Sequence, residues 1–168
     1  MFDLKPLSKN AVPAALAKAE RYRLLNEPMQ AASICEDILR VEPDNAAARV
    51  ALILALSDEF SGVEQTAAMT RARTLLPGLP TEYERAYYSG ILAERRALAQ
   101  LEHGGVSAGS AAYEGLREAM DWFEKAEARR PADNDDAILR WNACARVLMR
   151  NPHLQARADE RDMPLALE

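Results

Sequence analysis

Two histidines, His103 and His153, and two cysteines, Cys35 and Cys144, are all that the chain offers as soft metal ligands or thiol and imidazole catalysts. Neither histidine has Cys, His or acidic neighbours at metal-ligand spacing. Nucleophilic catalysis needs a base beside the thiol, and neither cysteine has one in its local sequence. Each cysteine falls within an apolar helical pattern, which reads as a small buried side chain rather than a disulfide partner. The glycine-rich "GGVSAG" lacks the Lys-Ser/Thr end and the preceding strand of a phosphate loop. The acidic "ADNDDA" has no glycine at the sixth position of a calcium loop, and Cys144 stands where the twelfth-position glutamate belongs. A capped helix start accounts for it better. The chain is therefore expected to be no enzyme, with no cofactor and no metal. What remains for chemistry is arginine. Arg95, Arg96, Arg129, Arg130, Arg140, Arg146 and Arg150 could gather on one side, where an acidic peptide or phosphate would bind.

Those side chains sit in 168 residues, enough for one domain or one short array with a sizeable core. Apolar residues make up 49%, charged residues 28%, and mean hydropathy is -0.29, a water-compatible balance. The net charge of -5 argues against binding nucleic acid through its phosphates. Thirty-two alanines and few β-branched residues favour helix throughout. No stretch approaches 18 apolar residues, and Met1 to Asn10 has no secretory apolar run, so no membrane partner and a cytoplasmic location are expected. Seventeen arginines against four lysines fit GC-rich bacterial coding.

Prolines give the organisation. Pro43, Pro77 and Pro131 each close a helical run, because proline cannot continue a helix and restricts the residue before it. The first two lie 34 residues apart and the next two 54, which is 34 plus 20. Thirty-four residues accommodate two helices and two turns. Small residues at helical spacing would let the pair approach closely: Ala31, Cys35 and Ile38 share one face, and Ala119, Phe123 and Ala126 share another. Asn45 reads as a helix cap and Thr81-Glu82-Tyr83-Glu84 as a capping box, while Asn134, Asp135 and Asp136 place a cap and negative charge at a further helix start.

On these residues the chain resembles the tetratricopeptide repeat family. The third segment carries Ala119, Phe123, Ala126 and Pro131; the first carries Ala19, Tyr22, Ala31 and Pro43; the second carries Leu52, Leu56, Met69, Ala72 and Pro77. Departures are Cys35 and Ile38 for the usual aromatic and alanine, Ile53 and Gln65 at positions usually small, and Lys18 for leucine. The resemblance implies an all-α right-handed superhelix of three hairpins, units 12–45, 46–79 and 80–133, in one domain over 1–150. A capping helix at 135–150 and a tail at 151–168 complete the chain. The 20 additional residues lengthen both helices of the third hairpin, to about 82–102 and 110–130. At 1.5 Å per residue the first would be roughly 31 Å long. In the last helix Ile138, Trp141, Ala145, Leu148 and Met149 form the expected packing stripe.

The resemblance also implies a binding groove lined by the first helix of each unit. The candidate residues are Leu16, Glu20 and Arg23 with Pro13 and Leu24, then Val50 and Leu54 with Ala47, Ser57 and Asp58. In the third unit they are Tyr87 and Ile91 if Gly90 is the small packing residue, and Glu84 and Tyr88 by strict spacing. Lysine and asparagine, which family members use to grip a C-terminal carboxylate, are replaced by Leu16, Glu20, Val50 and Leu54. The implied function is a non-catalytic scaffold or adaptor, in a narrower form a bacterial chaperone like those of secretion systems, holding a peptide or helical segment of a partner protein. Occupation by the chain's own N-terminal segment (Phe2, Leu4, Leu7) or tail, and a homo-oligomer, are the other expectations for the groove. The alternative function is an enzyme or enzyme subunit that binds an acidic small molecule on the arginine-rich long hairpin.

Overall fold

Backbone donors at a helix start need partners, and the sequence supplies them at three places. The Asn45 side chain accepts a hydrogen bond from the Ala48 amide at 2.9 Å. The Thr81 hydroxyl accepts from the Glu84 amide at 3.1 Å, while the Glu84 carboxylate accepts from the Thr81 amide, also at 3.1 Å. At the third start the cap is Asn134, one residue before the helix-flanking Asp135. Its Oδ1 accepts from the Asp136 amide at 3.0 Å and from the Tyr83 hydroxyl at 3.0 Å. One side-chain oxygen thus caps the last helix and ties it to the start of another.

The computed structural model describes residues 2–60, 65–105 and 107–156. Among them run α1 (Val12–Leu24), α2 (Pro28–Val41), α3 (Ala46–Asp58), α4 (Gln65–Leu75), α5 (Glu82–His103), α6 (Ala108–Glu127) and α7 (Asp136–Arg150), with 3-10 turns at Lys9–Ala11 and Leu76–Gly78. No described residue is in a strand, and the chain is all-α. Proline opens α1 and α2 within their first two positions, where its missing N–H has no intrahelical partner to lose. Each of α1/α2, α2/α3, α3/α4, α5/α6 and α6/α7 packs side by side. Next to these, α3 touches both α1 and α5, and α4 touches α5.

Small residues sit where helices meet. Ala19, Ala31, Cys35, Ala72, Ala119, Ala126, Ala137 and Cys144 are all fully buried. One core joins α1 to α4 around Leu52, Ile53, Leu56 and Phe60; a second joins α5 to α7 around Ile91, Leu116, Met120 and Phe123. Gly90 lies against the Phe123 ring so closely that a Cβ there would be 2.5 Å from Cε1. A Cβ on Gly115 would stand 2.8 Å from that of Ala97. Glycine is therefore what lets the two longest helices approach.

Three details differ from expectation. α6 starts at Ala108 and stops at Glu127, so Arg129 and Arg130 lie in the turn that follows, not on the helix. The α5/α6 turn uses Gly104 and Gly105 at φ 70° and 117°. α7 is rotated relative to the expected stripe: Ala137 and Cys144 are its buried residues, Trp141, Ala145 and Leu148 are half-buried, and Met149 is 80% exposed. The smallest side chains face α6 because they allow the closest approach, which swings Met149 outward. Beyond α7, Leu154 is buried beside Gly109 at the start of α6. At the other terminus Leu7 packs near Val12, Ile38 and Ala48, while Phe2 is 99% exposed. The N-terminal segment thus lies against α2 rather than over the expected groove. The expected tail lies outside the described residues from 157 onward.

Candidate functional site

The odd-numbered helices carry all seven expected groove residues. Leu16 of α1 and Val50 of α3 are half-buried at the edge of one core; Leu54 of α3 and Tyr87 of α5 are half-buried at the edge of the other; Tyr88 borders both. These side chains keep surface while resting on packed neighbours. Tyr87 stacks on Tyr83 with centroids 5.7 Å apart and meets Tyr88 edge-on at 5.2 Å. Burial pushes the Tyr88 hydroxyl up to about 12, and raises Tyr87 in the same direction. Both phenols stay neutral donors. Glu20 is exposed on α1. Ile91 is a correction: at 3% exposure it belongs to the α5–α7 core and offers a ligand nothing. One helical turn of α5 carries Tyr87, Gly90 and Ile91. Packing Gly90 on Phe123 turns Ile91 inward and leaves Tyr87 at the rim.

Charged groups cross the same helices. Arg23 of α1 donates to Asp58 Oδ2 of α3 at 2.9 Å. Arg95 of α5 donates to Asp58 Oδ1, to the Ser57 hydroxyl at 2.6 Å and to the Leu54 carbonyl at 3.2 Å. Ser57 is itself buried and donates to the Leu54 carbonyl at 2.7 Å. A single carboxylate therefore holds two guanidiniums from different helices. Burial lowers the Arg95 pKa, and Asp58 opposes the change. Ser57, Asp58, Phe60, Arg95, Leu98 and Glu102 line a cleft of about 190 Å³ at this end of the face.

Next to Arg95, Glu94 is 5% exposed and points the other way, toward α7. Arg140 approaches it to 3.2 Å as an ion pair. Its Oε2 makes no hydrogen bond among the described residues, and neither does Arg140 Nε. Burial raises the Glu94 pKa, with Arg140 and then Arg95 opposing. Two consecutive residues of α5 thus reach in opposite directions, one to α3 and one to α7.

Five of the seven arginines expected to form an anion-binding patch are engaged elsewhere. Arg95 pairs with Asp58, Arg96 with Glu118, Arg129 with Glu82, Arg130 with Asp135 and Arg140 with Glu94. Four of those five carboxylates lie on another helix, between 22 and 47 residues away, as with Arg129 and Glu82 at a separation of 47. No local pattern announces such pairs. Asp58 and Ser57 stood among the wider groove positions, but nothing in the sequence tied them to Arg95.

Burial pushes the Cys35 thiol up to about 11 and that of Cys144 to about 12. Such thiols are poor nucleophiles at neutral pH. Among the described residues no group of three His, Cys, Asp or Glu side chains is placed to hold a metal ion, and no helix is long and apolar enough to cross a membrane. The face can do what its composition allows: present half-buried leucine, valine and tyrosine to another apolar surface, flanked by charges whose partners are already in place. Comparison with protein-family models, curated proteins and solved structures returned no match for the chain.

Proposed function

We propose that the chain is a non-catalytic scaffold or adaptor whose odd-numbered helices, arranged as in a tetratricopeptide-like superhelix, hold a segment of a partner protein. The reading extends to a small cytoplasmic chaperone of bacterial type. The observation that carries it is the row of Leu16, Val50, Leu54 and Tyr87 on three different helices, each half-buried and each seated on a packed core. Pre-set apolar side chains lose little freedom on contact, so they favour association. The partner chemistry follows from the surroundings. Asp58 and Glu94 are already paired, which leaves apolar contact as the main attraction and Glu20 as an available carboxylate. An amphipathic helix laying its apolar side along the row, with a basic residue near Glu20, fits this pattern.

The test is affinity capture from native extract with the wild-type chain and Leu54→Glu in parallel. A carboxylate in the middle of the row should abolish retention of chains that the wild type holds, while the far-ultraviolet spectrum stays helical. Retention unchanged by Leu54→Glu and by Val50→Glu would move the partner to another surface.

A further inference from the structure

Where helices meet in this molecule, small side chains set the distance and several cations are answered by a carboxylate on a neighbouring helix. Arg23 of α1 meets Asp58 of α3, Arg71 of α4 meets Glu36 of α2, Arg96 of α5 meets Glu118 of α6, and Arg140 of α7 meets Glu94 of α5. The outer side of α1 carries half of such a contact. Ala14, Ala17, Lys18, Arg21, Tyr22 and Leu25 recur at three- and four-residue spacing and border a cleft of about 500 Å³. All but Tyr22 are exposed, and the half-buried Tyr22 rests on the first core. At about 100° per residue the stripe lies opposite Leu16, Glu20 and Arg23, so it is a different surface from the expected groove. The helices packed on α1 are α2 and α3, reached through Ala19 and Arg23 on its other sides. Among the described residues neither Lys18 nor Arg21 has an ion pair. The Lys18 ammonium instead stands 5.8 Å from the centre of the Tyr22 ring.

The occupant follows from charge complementarity. The outside of an end helix in a stack is ordinarily polar. Here it shows alanine, tyrosine and leucine with two cations. Ala14 and Ala17 admit another helix as closely as the buried alanines do inside, at about 8–10 Å between axes. Lys18 and Arg21 stand one helical turn apart, and carboxylates at the same spacing on a facing helix meet both. α1 holds Lys18, Arg21 and Arg23 against Glu20 in a chain of net charge -5, so the stripe is a locally positive strip on an acidic molecule. A second copy is disfavoured, because antiparallel two-fold pairing of the stripe sets Lys18 of each copy against Arg21 of the other. Head-to-tail stacking opposes like charges as well, since the exposed side of α7 adds Arg146 and Arg150 to Leu139 and Met149.

We propose that this stripe docks an acidic amphipathic helix of a partner protein, with its apolar side chains against Ala14, Ala17 and Leu25 and two carboxylates, one turn apart, on Lys18 and Arg21. The site does not use the row of Leu16, Val50, Leu54 and Tyr87, and it stands or falls separately from the function read there.

Fluorescence anisotropy of the full chain with two synthetic helical peptides tests it. One peptide carries leucine at three- and four-residue spacing, flanked by glutamates one turn apart; the other has lysine in place of each glutamate. The glutamate peptide should bind at least about tenfold more tightly than the lysine peptide, and added salt should weaken it. Lys18→Glu combined with Arg21→Glu should cost about tenfold and turn the preference toward the lysine peptide. Lys18→Gln combined with Arg21→Gln, which brings in no new charge, should cost about threefold. Far-ultraviolet spectra of both variants should stay helical, since the substituted side chains are exposed. Equal binding of the two peptides, or no binding of the glutamate peptide, would overturn the proposal. Loss of binding on Leu54→Glu with none on the double reversal would put the peptide on the other face and overturn it too. A wild-type dimer in sedimentation that the double reversal dissolves would assign the stripe to a second copy. Retention on phosphatidylserine vesicles without binding of the glutamate peptide would assign it to a lipid surface. Either result overturns the assignment to an acidic helix.

Discussion

The hairpins α1/α2 and α5/α6 are built on the same plan with different materials. The first meets through alanine and cysteine, Ala19 against Ala31 and Cys35, and turns at Asn26 with φ 60°. The second meets through glycine, with Gly90 under the Phe123 ring and Gly115 on Ala97, and turns at Gly104 and Gly105. The first has α3 on one side only. The second is covered by α7 on one side and by α3 and α4 on the other. Exposure follows: Leu24, Leu25 and Met29 are 88%, 61% and 74% exposed, whereas Ile91, Leu116, Met120 and Phe123 are buried. The contrast teaches that large apolar side chains are buried where a hairpin has neighbours on both sides and left exposed where it has them on one.

That contrast can be broken most directly at Phe123. Phe123→Ala removes a fully buried ring and leaves a cavity that Gly90 cannot fill, so unfolding should become easier by about 3–5 kcal/mol. Leu24→Ala at the exposed end of α1 should change stability by less than about 0.5 kcal/mol. Urea titrations of the two variants giving equal shifts would erase the distinction. A smaller loss, about 1–3 kcal/mol, is expected from Gly90→Ala, because the added methyl collides with the ring. Thermal melting checks it, and a neutral result would mean that the two helices sit farther apart.

Glu94 sharpens the comparison through pH. Burial holds its carboxyl above the usual 4.5, so the folded chain keeps this proton to higher pH than the unfolded chain does. The resulting stability is complete below about pH 4.5 and is lost as pH rises through the folded value. Glu94→Gln removes that dependence. Melting temperatures measured upward from pH 4.5 should show the wild type losing ground to the variant. A constant difference would mean that Glu94 ionises as easily in the fold as out of it.

The subtlest difference concerns opening. Cys35 of α2 lies between α1 and α3, while Cys144 of α7 packs on α6 at the end of the stack. Both thiols are buried and protonated at neutral pH, so alkylation reports local opening. Cys144 should be labelled first when the peptides are followed by mass spectrometry.

Local chemistry was legible in the sequence wherever its cause was local. The capping box at Thr81 and Glu84 and the Asn45 cap sit as their spacing dictates, since a cap needs only neighbours three residues away. The all-helical character follows from alanine content and proline punctuation. Face assignment held less well. Met149 and Ala137 stand about 120° apart on a helical wheel, and the close approach of α7 to α6 turns Ala137 inward and Met149 outward. Ile91 turned inward for the same kind of reason, Gly90 fixing the roll of α5 against Phe123. The pairs at Asp58 and Glu94 were out of reach of any pattern, because each joins residues on separate helices whose relative register only the fold defines.

Asp58 has a mechanical consequence. Its two oxygens are taken by guanidiniums from α1 and α5, and all three side chains keep between 21% and 25% of their surface. Ions from the medium can reach such a junction and weaken it. The splay of these three helices is thereby a quantity set partly by ionic strength: dilute buffer draws them together, and concentrated salt lets them relax apart.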